Sequence, residues 1–114
     1  MRPEAFELDL AKALNNLSSC LSALGMREEA HKAGQEAVDV YRKLVNVRSE
    51  ALEPELAKAL NNLSGCLSAL GMREEAHKAG QEAVEVYRKL ARLQPAVFQA
   101  ELETAMANLQ RLPR

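Results

Sequence analysis

A near-perfect internal repeat constrains this chain more than any other feature. Residues 10–44 align with residues 56–90 at an offset of 46, and 33 of the 35 aligned positions are identical. The two differences are Ser19 against Gly65 and Asp39 against Glu85. Self-similarity at a fixed period of this size is typical of arrays that stack one small supersecondary unit on the next. The duplication is either recent or engineered, and the sequence is compatible with both origins.

The spacing of apolar residues predicts two helices in each unit. In the first helix, helix A, leucines recur at spacings of four, three, four and three and form one stripe that we expect to be buried: Leu10, Leu14, Leu17, Leu21 and Leu24. Gly25 follows and can adopt the left-handed conformation that ends many helices. The second helix, helix B, has its apolar face at Met26, Ala30, Ala33, Ala37, Val40, Tyr41 and Leu44. Its solvated face is expected at Lys32, Glu36, Asp39 and Lys43.

A third, partial copy of the unit follows at the same offset. Its residues Phe98, Leu102, Ala105, Met106, Asn108 and Leu109 align with Leu52, Leu56, Ala59, Leu60, Asn62 and Leu63. Because this copy has only one helix, we expect it to cap the array, with Leu102, Met106 and Leu109 covering the second helix B. The predicted fold is an all-α antiparallel helix-turn-helix solenoid in one domain. Its predicted parts are repeat 1 at residues 4–47, repeat 2 at 50–93 and a capping half-repeat at 96–112.

Composition removes several classes of function. There are 15 Lys and Arg against 16 Asp and Glu, so a net charge of −1 gives no broad attraction to nucleic acid or to an anionic membrane. Two Phe, two Tyr and no Trp disfavour base stacking and large aromatic pockets. We find no apolar run long enough to span a membrane, no secretory signal at the start and only two cysteines, so we expect a cytoplasmic protein.

The repeated residues resemble the tetratricopeptide repeat. The matching positions are Leu14, Leu17, Leu21, Gly25, Ala30 and Ala37, and again Leu60, Leu63, Leu67, Gly71, Ala76 and Ala83. Residues 14–18, 24–30 and 36–44 are similar to a long-period subclass that includes kinesin-light-chain-type repeats and arrays of bacterial signalling proteins. The resemblance implies a solenoid whose concave surface, lined by A helices, holds peptides or partner segments. Two departures are Gly34 and Gly80 in place of bulky apolar residues, and His31 and His77 in place of leucines. Either the interior is looser at these glycines or another side chain fills the gap.

A polar face of the A helices is the candidate peptide-binding site. It comprises Lys12, Asn15, Asn16, Ser19 and Ser22 in the first unit, Lys58, Asn61, Asn62, Gly65 and Ser68 in the second, and Asn108 in the cap. Asparagine amides both donate and accept, so they can bind the backbone of an extended peptide, and the lysines would favour acidic residues. The alternative is a merely solvated surface. A clamp for a terminal carboxylate at Lys12 and Asn16 is disfavoured, because such clamps in similar proteins occupy a different helical phase.

The remaining candidate residues have structural interpretations. His31 and His77 lack further metal ligands at suitable spacing, and Cys20 and Cys66 are expected to be small buried thiols that form no disulfide. The sequence shows no catalytic constellation and predicts no cofactor and no metal site. The leading hypothesis is therefore a non-catalytic protein- or peptide-binding module. The competing hypotheses are a structural scaffold without a ligand and a homo-oligomer that forms through the array ends at Phe6, Leu8, Leu109 and Leu112.

Overall fold

The described part of the chain contains five α-helices. The computed structural model describes residues 3–113, and side chains are described for residues 5–46 and 51–113. The helices are α1 (Pro3–Ala23), α2 (Arg27–Arg48), α3 (Glu53–Ala69), α4 (Arg73–Leu93) and α5 (Pro95–Arg111), with a short 3-10 helix (Ser49–Leu52) before α3. The predicted all-α helical solenoid is confirmed: α1–α2 and α3–α4 are the two helix hairpins, and α5 is the additional helix.

Glycine and proline lie at the helix boundaries, and the helix end predicted at Gly25 is confirmed. Gly25 and Gly71 have φ of 78° and 76°, the left-handed conformation that closes α1 and α3. In both turns the residue after the glycine donates its N–H to a carbonyl five positions back, with N–O distances of 2.9 Å. Pro54 lies in the first turn of α3, and Pro95 begins α5 directly after α4 has ended.

Each helix B packs between two A-type helices. Helix α2 contacts α1 and α3, and α4 contacts α3 and α5. One core cluster brings together Ala11 of α1, Tyr41 of α2 and Leu60 of α3, and a second joins Tyr87 of α4 to Leu102 of α5. The array is therefore held by contacts within and between its units, as expected for a solenoid.

The predicted leucine stripe is buried in α3 but not in α1. Leu17 is 49% exposed, whereas its counterpart Leu63 is 4% exposed. The residues of α1 that are fully buried are instead Ala11 and Ser18. The reason is geometric: part of the stripe faces the preceding unit, which α3 has and α1 lacks. The prediction for α1 is therefore wrong at three positions, Leu10, Leu17 and Leu24, all of which are exposed.

Two methionines also differ from the prediction. Met26 precedes α2 in the turn and is exposed, so it is not part of the buried face of helix B. Met106 is 38% exposed, and α5 covers α4 with Leu102 and Ala105 instead. The alignment itself is in register, because Leu102 and Ala105 are buried like Leu56 and Ala59; Met106 is exposed because no further unit among the described residues covers its side of α5. The charged face of helix B is solvent-exposed as expected: Lys32, Glu36, Asp39 and Lys43.

Buried serines explain the unusual glycines of helix B. The Ser18 hydroxyl donates to the Ala30 carbonyl at 2.7 Å, and a Cβ at Gly34 would lie only 3.0 Å from its Oγ. In the second unit Ser64 makes the equivalent bond, and a Cβ at Gly80 would lie 3.1 Å from Leu109 Cδ1. Neighbouring side chains thus fill the space, and the interior is not looser at these positions.

Candidate functional site

The predicted site residues of helix A follow one face of α1 and one face of α3. Within each helix they are spaced by three, four and three residues, which places them on a single stripe. These stripes are Lys12, Asn15, Ser19 and Ser22 on α1, and Lys58, Asn61, Gly65 and Ser68 on α3. Most of these side chains are exposed, and Asn15, Asn61 and Ser68 are half-buried.

A groove between α3 and α5 brings four of the predicted residues together. It has a volume of about 370 Å³, within the usual range of ligand sites. Its lining residues are Asn61, Ser64, Gly65, Ser68, Asn108, Arg111 and Leu112. Five of the seven lining residues have polar side chains, and Gly65 lowers one side of the groove because it has no side chain. The arrangement can offer amide donors and acceptors to a bound chain from two helices at once.

The predicted residues between α1 and α3 are arranged differently. Asn62 Nδ2 donates to Asn15 Oδ1 at 2.9 Å, so these half-buried amides bridge the two A helices. Asn15 keeps its NH₂ group for other partners, and Asn62 keeps its carbonyl oxygen. Asn16 is the counterpart of Asn62 and is exposed, because no A helix precedes α1. This structural role of the asparagines was not predicted from the sequence.

Arg111 is the functional candidate that sequence reasoning missed. It lies at the end of α5 and lines the groove opposite Gly65 and Ser68. The 46-residue offset aligns Arg111 with Gly65, so extending the alignment of the cap by two residues would have found it. Its guanidinium brings a positive charge to a wall otherwise made of neutral groups, which favours a carboxylate.

Comparison with known proteins agrees with this architecture. A sequence model described as Tetratricopeptide repeat matches residues 10–51 and 56–91, well over half of the chain. The chain belongs to the tetratricopeptide repeat family. Such repeats are generally protein-interaction or scaffold modules and are typically non-catalytic. A search of curated proteins found no match.

A second groove of this tetratricopeptide array lies between the two B helices. It has a volume of about 340 Å³, and its floor is formed by the buried leucines 60, 63 and 67 of α3. Its walls are joined by an ion pair, because Arg42 of α2 contacts Glu82 of α4 at 2.6 Å. Exposed ion pairs contribute only about 0 to 1 kcal/mol each, but this pair occupies the groove. Among the described residues, none of those that line the A-helix groove takes part in an ion pair.

The cysteines of the two units differ in exposure. Cys66 is 3% exposed, and its Sγ lies 3.5 Å from Ser18 Oγ. The single hydroxyl proton of Ser18 goes to Ala30, so the thiol is the donor in this contact. Cys20, by contrast, is exposed, and the prediction that it is a buried thiol is wrong because no preceding unit covers α1. Both cysteines are free.

The histidines are partly exposed, as expected for residues outside the core. His77 Nε2 lies 2.9 Å from the carbonyl oxygen of Pro113, which ties the end of the chain to α4. In the part of the chain that the structure describes, no three His, Cys, Asp or Glu side chains are grouped as metal ligands. Among the described helices, none combines the length and hydropathy needed to cross a membrane.

Proposed function

We propose that this tetratricopeptide array is a non-catalytic module that holds an extended segment of a partner protein along its A helices. The groove between α3 and α5 is the centre of the proposed site. The observation that carries the proposal is the meeting of Asn61, Gly65, Ser68 and Asn108 in that one groove. These residues come from two helices that are far apart in sequence.

Backbone recognition suits the chemistry of this groove. Extended peptides have one donor and one acceptor per residue, and amide side chains can pair with both. Asn61 and Asn108 supply such amides from opposite walls, and Gly65 leaves room for the peptide between them. Lys12, Ser19, Ser22 and Lys58 would extend the contact along the stripes described above. Such a site binds by shape and backbone and reads few side chains.

Arg111 gives the proposed site a preference in charge. An arginine beside neutral amides favours a carboxylate, from an Asp or Glu side chain or from a chain terminus. The exposed Lys58 on the same face of α3 adds to this field. We therefore expect peptides with acidic residues, and an affinity that falls as the salt concentration rises.

The competing proposal is a scaffold without a ligand of its own. It is favoured by the 33 identities in 35 aligned positions, because a surface that recognises one partner has little need for two nearly identical units. The single difference on the polar face is Ser19 against Gly65. Because the glycine lies in α3, a side chain is missing from the α3–α5 groove and not from the equivalent face of α1. A difference at this groove favours the binding proposal.

The repeat subclass, the domain bounds and the location of the protein are proposed from its sequence. Residues 14–18, 24–30 and 36–44 resemble long-period repeats of the kinesin-light-chain type, and we propose that the chain belongs to this subclass. We propose one domain with repeats at residues 4–47 and 50–93 and a cap at 96–112. Two free cysteines suit a reducing compartment, so we propose a cytoplasmic location.

A peptide-display selection tests the binding proposal. A library of random 12-residue peptides is selected on the immobilised chain and, in parallel, on the double variant Asn61→Ala, Asn108→Ala. The expected result is enrichment of acidic peptides on the parent chain and a strong loss on the double variant. The variant Asn46→Ala is the matched control, because Asn46 is an exposed asparagine of α2 outside the groove. Equal enrichment on all three proteins would contradict the proposal.

A further inference from the structure

Arg111 supplies the positive charge of the α3–α5 groove, and it is the last residue of α5. Its side chain is exposed, and among the described residues it forms no ion pair, so no opposite charge fixes the guanidinium. The last turn of a helix frays readily, because its carbonyls lack donors from the same helix. The position of this charge therefore depends on how the backbone around residue 111 is held.

The two residues after α5 leave the path of the helix. Pro113 disfavours the helical conformation for the residue before it, and Leu112 is extended, with φ of −66° and ψ of 138°. Gly65 aligns with Arg111, yet α3 continues four residues further, to Ala69. Because α5 ends earlier than α3 does, the Pro113 carbonyl lies outside any helix.

One face of α4 holds this extended pair. His77 Nε2 lies 2.9 Å from the carbonyl oxygen of Pro113, and because a carbonyl oxygen only accepts, the imidazole donates this bond. Gly80 follows three residues later on the same face of α4. It leaves room for Leu112, whose Cδ1 would lie 3.5 Å from an added Cβ and which packs against the core. Residue 111 is thus joined directly to a segment that has two partners on α4.

The first unit contains the same histidine, but the carbonyl that His77 uses has no available counterpart there. His31 aligns with His77, and both side chains are half-buried. The residue that aligns with Pro113 is Leu67, which is still part of the helix α3. The Leu67 carbonyl already accepts two backbone N–H groups of the following turn, so both of its acceptor positions are used. His31 is therefore a matched control for His77.

We propose that His77 is a positioning residue that holds Arg111 in the wall of the α3–α5 groove and so sets the preference of the groove for acidic segments. This inference rests on the proposed function. A guanidinium that is already fixed in place loses less conformational entropy when it binds a carboxylate. Without the bond from His77, residues 111–113 would sample more positions. Asn61 and Asn108 lie within their helices, so their contacts with a peptide backbone should persist.

Nuclear magnetic resonance relaxation tests the positioning without any peptide. The order parameter of the Arg111 backbone amide should be about 0.85 in the parent chain and should fall towards about 0.6 in His77→Ala. His77→Gln should restore the parent value, because the glutamine Nε2 can donate to the same carbonyl. His31→Ala should leave the order parameter unchanged. An unchanged order parameter in His77→Ala would overturn the proposal, whether or not a peptide binds.

Titration calorimetry with two peptides tests the effect on charge preference. One is an acidic peptide from the display selection, and the other has its Asp and Glu residues replaced by Asn and Gln. The parent chain should prefer the acidic peptide. His77→Ala should lower this preference about two- to tenfold and leave the affinity for the amide peptide unchanged. His77→Gln should recover the preference, and His31→Ala should retain it.

The outcomes separate this inference from the proposed function. Full preference in His77→Ala, or an equal loss for both peptides, would overturn the inference, because His77 would then not act through Arg111. Arg111→Gln should abolish the preference, and a preference that survives in this variant would overturn the inference as well. If the parent binds neither peptide, the proposed function fails, and the order parameter alone decides whether His77 positions Arg111.

Discussion

Gly34 shows how one residue can depend on a side chain from another helix. Glycine in a helix interior costs about 1 kcal/mol relative to alanine, so its presence requires a reason. The reason is the buried Ser18, whose hydroxyl is held by the Ala30 carbonyl and lies where a Cβ would have to go. The sequence indicated that Gly34 was unusual, but it did not identify Ser18 as a packing residue. A serine on an apolar stripe cannot be placed without knowing which hydrogen bond satisfies it.

Gly34→Ala should lower the free energy of unfolding by about 1 kcal/mol. Overpacking typically costs about 1 to 3 kcal/mol, which exceeds the gain of about 1 kcal/mol in helix propensity. The matched control is Gly65→Ala, because a Cβ there meets no heavy atom of the described residues within 4 Å. That variant should gain about 0.5 to 1 kcal/mol. Urea unfolding of both variants makes the comparison, and a gain in stability for Gly34→Ala would contradict the packing explanation.

Helices α1, α3 and α5 have related sequences but different surroundings. The sequence predicted all three as helices, from the spacing of leucines in α1 and α3 and from the partial third copy in α5, and this is confirmed. The neighbour that each face meets was only partly predictable, because it depends on whether a unit precedes or follows. For the same reason, the alignment of Met106 with the buried Leu60 predicts a core residue, whereas Met106 is exposed in α5.

The cap provides a direct test at the scale of an element. Leu102→Ala should destabilise the chain by about 2 to 5 kcal/mol, because Leu102 is buried against α4 and its removal leaves a cavity. Met106→Ala should cost less than about 1 kcal/mol, because Met106 is exposed. Thermal unfolding followed by circular dichroism compares the two. Similar losses for both variants would mean that α5 does not pack as described.

The whole molecule contains two buried tyrosines at equivalent positions. Burial raises the pKa of Tyr87 to about 12, with smaller effects from Glu101 and Glu55, and burial followed by Glu55 raises the pKa of Tyr41 to about 12. The ordinary value is 10.0. Between these values the unfolded chain has released the tyrosine protons and the folded chain has kept them. Stability from these residues is therefore complete below pH 10 and is lost as the pH rises towards 12.

The double variant Tyr41→Phe, Tyr87→Phe should lose less stability between about pH 10 and pH 12 than the parent chain does. The measurement is the urea midpoint of each protein across that range. Lysines also lose their charge there, but they do so in both proteins, so the difference between the two curves reports the tyrosines. Parallel curves would show that the tyrosines do not ionise with raised pKa values.

Most of the architecture was predictable from the sequence, whereas the site was predictable only as a surface. The repeat indicates helix order and turns, because each is a local pattern that occurs twice, and the partial third copy indicates the additional helix. Which polar residues share a groove depends on distances between helices that are far apart in sequence. The α3–α5 groove brings Asn61 and Asn108 together, while Asn15 and Asn62 bind each other. Arg111 joins the groove from a position beyond the part of the cap that was aligned.

Titration calorimetry with an acidic peptide from the display selection tests the proposed function most directly. The double variant Asn61→Ala, Asn108→Ala is compared with the parent and with Asn46→Ala. Each lost hydrogen bond should cost about 0.5 to 1.5 kcal/mol, so the double variant should bind roughly 5- to 150-fold more weakly at unchanged helicity. Asn46→Ala should bind as the parent does. An unaltered affinity in the double variant would contradict peptide binding in the α3–α5 groove.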